Sequence, residues 1–302
     1  MIDSTTLKEQ ILQGISNRKS SSLRGVAERL GLSSTWLRKH IEKMRSQGLI
    51  KAWTLILNPW SLQQRIFFFL LKTNPNEPRV VAELLDNYPS DSLSLLEGIT
   101  GDFSLIGRFH FPDATSFLHS LEHLYELIGE TGFQKYQMIE VINIYKENGL
   151  SVPEIKPTLK ENELKTLYSI QQLGKSLYLP PSSYDMAKHL NREQSSVYRQ
   201  LKRWKTKNII LGYSIDTSYW QQYYIHTYIQ VKAPLGKYNC VINFCQQDPN
   251  VINAYRTNQE YSLLLKTRHL TLSDLNEFLK SLYKYAEVED TLTRIVLDNL
   301  RG

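Results

Sequence analysis

Apolar residues recur every three or four positions through the first fifty residues, the spacing of one buried helix face. Leu7, Ile11, Leu12 and Ile15 mark a first helix. Ser22 stands where it can N-cap a second, which carries Leu23, Val26, Ala27 and Leu30 and ends at Gly31. Leu32 turns inward, and Ser33 or Ser34 caps a third helix that runs to about Gln47 and stops at Gly48. Leu37, Ile41 and Met44 share its inner face, and a β-like stretch follows from Leu49 to Leu55. Helix, turn, helix and then a β-ribbon is the winged helix-turn-helix plan.

From there the pattern alternates between strand and helix periods. Strands are expected at Ile66–Thr73, Leu93–Thr100, Phe103–Phe111 and Lys135–Tyr145, with helices at Pro78–Tyr88 and Ala114–Ile128. This is β-α-β-β-α-β, a ferredoxin-like order whose sheet has helices on one face. The other face needs a cover, and a second copy of the same sheet supplies one.

The chain is written twice. An offset of 160 brings Ala27 onto Ala187, Leu30 onto Leu190, Leu37 onto Val197, Ile41 onto Leu201, Trp53 onto Tyr213 and Trp60 onto Trp220. The second copy repeats the order: strands Ile225–Lys232, Val251–Thr257, Glu260–Lys266 and Asp290–Leu297, helices Lys237–Gln247 and Leu272–Tyr285. Asn191 and Asn208 replace Gly31 and Gly48, and both can adopt the left-handed turn. The expected fold is therefore α+β, in two tandem modules. Winged helix-turn-helix domains are expected at 1–60 and 161–220, and ferredoxin-like domains at 61–150 and 221–302. The linker is 151–160, where Pro153 and Pro157 break regular structure.

Charge sharpens this picture by its location. The 302 residues carry a net charge of +6. Residues 1–58 hold ten basic and four acidic side chains, residues 160–218 ten and five, so the remainder is net acidic by five. Basicity confined to the two helical blocks is the footprint of nucleic-acid binding. In the first copy the outward positions of the third helix are Ser34, Thr35, Trp36, Arg38, Lys39, His40 and Lys43. In the second they are Gln194, Ser195, Ser196, Tyr198, Arg199, Lys202 and Arg203. A helix fits the major groove of double-stranded DNA: Ser, Thr and Gln read base edges, while Arg and Lys pair with guanine or phosphate. His40 and Tyr198 read equally well as contacts or as surface fillers.

Other chemistry is sparse. The longest apolar run, Ile66–Leu71, is six residues, against about 20 for a membrane span. Met1–Thr5 has no basic stretch feeding an apolar one, so a cytoplasmic protein is expected, without membrane contact. Two cysteines, Cys240 and Cys245, exclude a disulfide framework and read as buried small apolar residues on one helix. His119 and His123 are four apart, a spacing for a metal or, more simply, for a solvated helix face. No phosphate loop or metal cluster is written, and no cofactor is expected.

The run Val26-Ala27-Glu28-Arg29-Leu30-Gly31-Leu32-Ser33, with Leu37, Arg38, Lys39, Ile41 and Gly48-Leu49-Ile50, resembles the Lrp/AsnC family of regulators. Gly101-Asp102-Phe103-Ser104-Leu105 resembles the family's Gly-Asp-Tyr-Asp turn in its sensor domain. The resemblance is more specific in the first copy; the second has Gln259-Glu260 in place of Gly101-Asp102. It implies DNA binding and self-association through the ferredoxin-like domains, either within one chain or between two. It also implies an amino-acid effector near Gly101, Asp102, Phe103 and Ser104. The alternative is that Gly101 serves a tight hairpin.

Siroheme decarboxylases resemble the same regulators, sometimes as fused tandems, and supply an enzymatic alternative. Their His-Asn-Tyr-like and Asn-x-Trp segments are absent from residues 96–103 and 254–261, although Tyr255, Arg256 and Arg268 are candidates for an anionic pocket. An architectural DNA-coating protein of low specificity is a third reading, with the same fold and a low specificity ratio.

Overall fold

The computed structural model describes residues 4–16, 19, 22–73, 79–130, 135–154, 157–234 and 236–301. The first copy consists of α1 (Ser4–Ile15), α2 (Arg24–Arg29), α3 (Ser34–Ser46), β1 (Ala52–Leu57), β2 (Arg65–Leu71), α4 (Arg79–Asn87), β3 (Leu93–Ile99), β4 (Leu105–Phe111), α5 (Ala114–Glu130) and β5 (Tyr136–Glu147). A two-residue β6 (Leu150–Ser151) leads to the second copy. That copy runs α6 (Glu161–Ser176), α7 (Ser183–His189), α8 (Gln194–Thr206), β7 (Ile210–Asp216), α9 (Tyr219–Tyr223), β8 (Ile225–Lys232), α10 (Tyr238–Gln247), β9 (Val251–Thr257), β10 (Leu263–His269), α11 (Leu272–Ala286) and β11 (Asp290–Arg301).

The copies do not fold side by side. One compact unit gathers residues 1–62 and 147–222, and another gathers 63–146 and 223–302. Each unit thus combines the same half of both copies. Within the predicted linker, Val152 is buried and Leu159 packs on the core of the first unit; Ile155 and Lys156 lie outside the described residues.

In the first unit the expected β-ribbon takes another form. Each copy contributes one strand, and β1 pairs antiparallel with β7, from Ala52 opposite Asp216 to Leu57 opposite Ile210. A single strand has unpaired backbone groups along both edges, and the other copy's equivalent strand satisfies one of them. Gln171 of α6 also bonds β1, accepting from the Leu55 N–H at 2.8 Å and donating to the Leu55 carbonyl at 3.0 Å. Gly174 lets α6 approach: a Cβ there would lie 2.0 Å from the Trp53 carbonyl oxygen. Gly174→Ala is expected to lower stability by about 1–3 kcal/mol through overpacking. An unchanged urea midpoint would show that α6 and β1 do not meet this closely.

In the second unit eight antiparallel strands run β2-β4-β3-β11-β8-β10-β9-β5, and β5 pairs back onto β2 to close the sheet. Alternation sends Phe67, Phe69, Leu105 and Phe109 toward α4 and α5. It likewise sends Ile229, Val231, Leu263 and Leu265 toward α10 and α11. The alternate positions point inward, where Phe68 meets Tyr255 with ring centroids 5.2 Å apart.

The last strand of each copy is longer than its alternation suggests, because it serves both halves. Asp290–Ile295 of β11 pair with β8, and the strand continues through Val296–Arg301 along β3. Likewise β5 pairs first with β2 and then with β9. Each strand delivers a cation to a helix C-terminus of the other copy, where unpaired carbonyls and the helix dipole favour positive charge. Arg301 donates to the Leu85 carbonyl at 2.7 Å and to the Tyr88 carbonyl. Lys146 donates to the carbonyls of Asp248 at 2.7 Å and Cys245 at 3.3 Å.

Two expectations change here. Cys245 is buried, but Cys240 on the same helix is exposed, because the two lie on different faces of α10. Phe103 and Ser104 belong to the turn before β4 instead of the strand, since ladder pairing begins at Leu105. Among the described residues no helix is long and apolar enough to cross a membrane, and no histidine, cysteine or carboxylate cluster is arranged to hold a metal.

Candidate nucleic-acid interface

Four turns set the two outward-facing helices. Gly31, Gly48, Asn191 and Asn208 all adopt positive φ, between 50° and 74°. In each, the next residue's N–H returns to a carbonyl five residues back: Leu32 to Ala27, Leu49 to Met44, Arg192 to Ala187 and Ile209 to Trp204. These are Schellman closures, which need glycine or asparagine at the left-handed position. They stop each helix where the sequence places the stop.

In α3, the Ser33 hydroxyl accepts the Trp36 N–H at 3.1 Å, and Leu37, Ile41 and Met44 are buried. Ser34, Thr35, Arg38, Lys39 and Lys43 are exposed. Trp36 and His40 are half-buried and stacked, with centroids 3.3 Å apart and His40 Nδ1 3.0 Å from the Trp36 carbonyl. His40 is therefore engaged by its own helix.

In α8, Val197, Leu201 and Trp204 are buried. Gln194, Ser195, Tyr198, Arg199, Lys202 and Arg203 are exposed and Ser196 half-buried. The outward residues divide into two stripes. Tyr198 and Lys202 line a small pocket of about 270 Å³ with Lys205 and Tyr213. Ser196, Arg199 and Arg203 face a groove of about 1050 Å³ beside the N-terminal end of α6. Arg203 donates to Glu163 of α6, whose Oε1 also accepts the Trp204 indole N–H at 3.2 Å. Burial pushes the Glu163 carboxyl upward, but the Lys160 N–H, Trp204 and Arg203 outweigh it and hold the carboxyl below its ordinary range.

The turn matched to the family sensor motif is internally occupied. Gly101 has φ +101°. Asp102 pairs with Lys135 at 3.3 Å. Phe103 is buried between two cations, Lys135 at 5.1 Å and Arg294 at 5.6 Å from its ring centre. The Ser104 hydroxyl donates to the Thr73 carbonyl at 3.0 Å and accepts the Thr73 N–H at 3.2 Å. In the second copy Glu260 pairs with Lys232 at 2.7 Å, and the Tyr261 hydroxyl donates to Asp290 at 2.5 Å.

Tyr255, Arg256 and Arg268 are not brought into one pocket. Tyr255 points into the closed sheet, where the Arg108 guanidinium lies 5.3 Å from its ring centre. Arg256 occupies the opposite face, over Tyr238 of α10 at 4.7 Å, and Arg268 lies over Tyr224 at 5.1 Å. His119 and His123 gather no metal set; His123 Nδ1 lies 3.0 Å from the Tyr88 hydroxyl.

Sequence reasoning missed a charged cluster inside the closed sheet. Lys266 Nζ lies 2.8 and 2.9 Å from the two oxygens of Glu97, and the Tyr228 hydroxyl donates to Glu97 Oε2 at 2.5 Å. The available signal was a lone charge in an apolar strand, as in Leu263-Leu264-Leu265-Lys266.

Comparisons with known proteins agree with this architecture. The model of the Lrp/AsnC ligand binding domain matches residues 227–301. That match falls in the second copy, whose strand and helix pattern persists although its turn has lost the Gly-Asp pair. An HTH-type transcriptional regulator of Pyrococcus furiosus, itself uncharacterized, is 25% identical over 115 residues, 38% of this chain and 78% of its own. HTH-type transcriptional regulator FL11 of Pyrococcus horikoshii is 26% identical over 143 residues, 47% of this chain and 91% of its own. The crystal structure of the siroheme decarboxylase NirDL superposes with a TM-score of 0.65 at 17% identity, covering 97% of this chain and 92% of that one. That likeness is one of fold, and it extends through both copies. The first copy builds the other half of the same closed sheet, so the chain is a tandem of two similar modules, of which the second matches the Lrp/AsnC ligand binding domain.

Proposed function

We propose that this chain is a sequence-specific, DNA-binding transcriptional regulator acting on double-stranded DNA in the cytoplasm. The observation that carries the reading is the pair α3 and α8. Each is anchored by a buried apolar face and a fixed terminal turn, and each presents cations and small polar side chains outward. Ser34, Thr35, Gln194 and Ser195, near the helix N-termini, reach base edges. Arg38 and Arg199 pair with guanine or phosphate, and Lys39, Lys43 and Lys202 with phosphate. The similarity to HTH-type transcriptional regulators supports the same reading.

Pairing of β1 with β7 joins both helices within one chain. The two helices differ in sequence, so the operator is asymmetric. An amino-acid effector at Gly101–Ser104 must displace Lys135 from Asp102, and in the absence of one the turn serves as a hairpin.

Selection from a random duplex pool at several salt concentrations tests the proposal. One enriched asymmetric motif with affinity falling steeply with salt is the expected result. Arg38→Ala should weaken the selected site by about 1–3 kcal/mol and relax one base position. Steep salt dependence without enrichment would replace the regulator by an architectural protein. The same tandem fold serves a siroheme decarboxylase, so an absorbance titration with an iron tetrapyrrole accompanies the selection. Tetrapyrrole binding with no duplex binding at any salt would overturn the proposal in favour of an enzyme.

A further inference from the structure

The two modules are unequal along the stripe that faces away from their cores. In the second copy Arg199, Arg203 and Lys207 occupy positions i, i+4 and i+8 of α8 and its end. A helix rise of 1.5 Å per residue spaces them about 6 Å apart. Arg192 and Lys160 complete the rim of the roughly 1050 Å³ groove, and Glu163 is the one acid lining it. Glu163 is spent on Arg203 and Trp204. Among the described residues neither Arg199 nor Lys207 has an acidic partner. Between the cations the wall is small and polar, with Ser196 and Gln200.

The offset of 160 shows what the first copy has instead. Trp36 stands at Ser196 and His40 at Gln200, and their stacked rings fill that face. Leu32 stands at Arg192 and Gln47 at Lys207, so only Lys39 and Lys43 remain as cations on the stripe.

We propose that the groove beside α8 seats a stretch of nucleic-acid sugar–phosphate backbone, and that α3, with fewer cations on the same stripe among the described residues, takes a smaller share of these contacts. This rests on the DNA-binding reading and deepens it. A row of cations at regular spacing along an open groove matches a repeating line of phosphodiesters, where a single small anion needs only one convergent cluster. Phosphate contacts position a protein without reading sequence. The second module therefore supplies register and salt-dependent affinity, and the first supplies more of the base discrimination.

Arg192→Ala, Lys207→Ala and the double variant test this in the full chain; both residues are exposed, and neither carries the base-reading role assigned above. The measurement is affinity for the selected duplex from 50 to 200 mM salt. Each single variant is expected to reduce the salt slope by about 1, a loss of affinity across that range about fourfold smaller than for the wild type. The recovered motif should be unchanged. Slopes equal to the wild type, with steep wild-type binding retained, would overturn the groove and leave the regulator standing. No duplex binding by the wild type would overturn both. Sodium triphosphate is the second probe: if the variants lose triphosphate binding while their duplex slopes stay unchanged, the groove belongs to a free anion and the backbone assignment falls.

Discussion

Replacing Lys266 by Met is expected to destabilise the chain by about 3–5 kcal/mol, read as a lower urea midpoint. Glu97 is 3% exposed and sits inside the closed sheet. Its two oxygens are held by the Lys266 ammonium and by the Tyr228 hydroxyl, both from the other copy. Removing the ammonium leaves a carboxylate where water cannot replace it, and that desolvation is what the variant exposes. The pair itself adds less than this figure suggests, because burying two charges costs most of what their attraction returns. Glu97→Gln combined with Lys266→Met should therefore recover most of the loss, giving a large coupling energy in the double-mutant cycle. A single variant within 1 kcal/mol of wild type would show that Glu97 is solvated or otherwise paired. Since the partners come from different copies, the cycle also tests whether the two sheets close on each other within the chain.

Much of this fold is legible in the residues, and the division between what is and what is not has a physical basis. Turns at Gly31, Gly48, Asn191 and Asn208 can be read because left-handed backbone is a property of single residue types. Strands such as Val251–Thr257 can be read because burial on one face imposes a period of two. Outward faces of α3 and α8 follow in the same way from the 3.6 period. What cannot be read is which strand lies beside which. Nothing in Asp298–Arg301 distinguishes a frayed tail from a continuation along β3, because register depends on a partner some 200 residues away. Distance along the chain likewise hides the pairing of Glu97 with Lys266, although Lys266 stands out as a lone charge after three leucines. At the candidate interface, the sequence does not separate the lateral stripe of α8 from its outward face, because Arg203's engagement with Glu163 spans 40 residues. The stack of Trp36 on His40 was within reach, since residues four apart on a helix are neighbours.

Acid should loosen the same closed sheet through His110. This residue is 8% exposed at the end of β4, with Nε2 2.8 Å from the Ser94 hydroxyl. Burial, aided by the positive charge of Arg108, lowers its pKa to about 3. The unfolded chain protonates the same imidazole near its ordinary value of about 6.5. Between those values the unfolded state binds a proton that the folded state refuses, so stability falls as the solution is acidified. The stability present above pH 6.5 is lost progressively toward pH 3. At about 1.4 kcal/mol for each unit of separation, the full span is worth on the order of a few kcal/mol. His269, also held below its ordinary value by burial, adds in the same direction. The check is the urea midpoint of wild type and His110→Asn at pH 7, 5.5 and 4. The wild type should lose more stability than the variant at each step down, because asparagine has no proton to gain. Parallel losses in the two proteins would mean that His110 takes up its proton in the folded state, and that the interior beside Arg108 admits water.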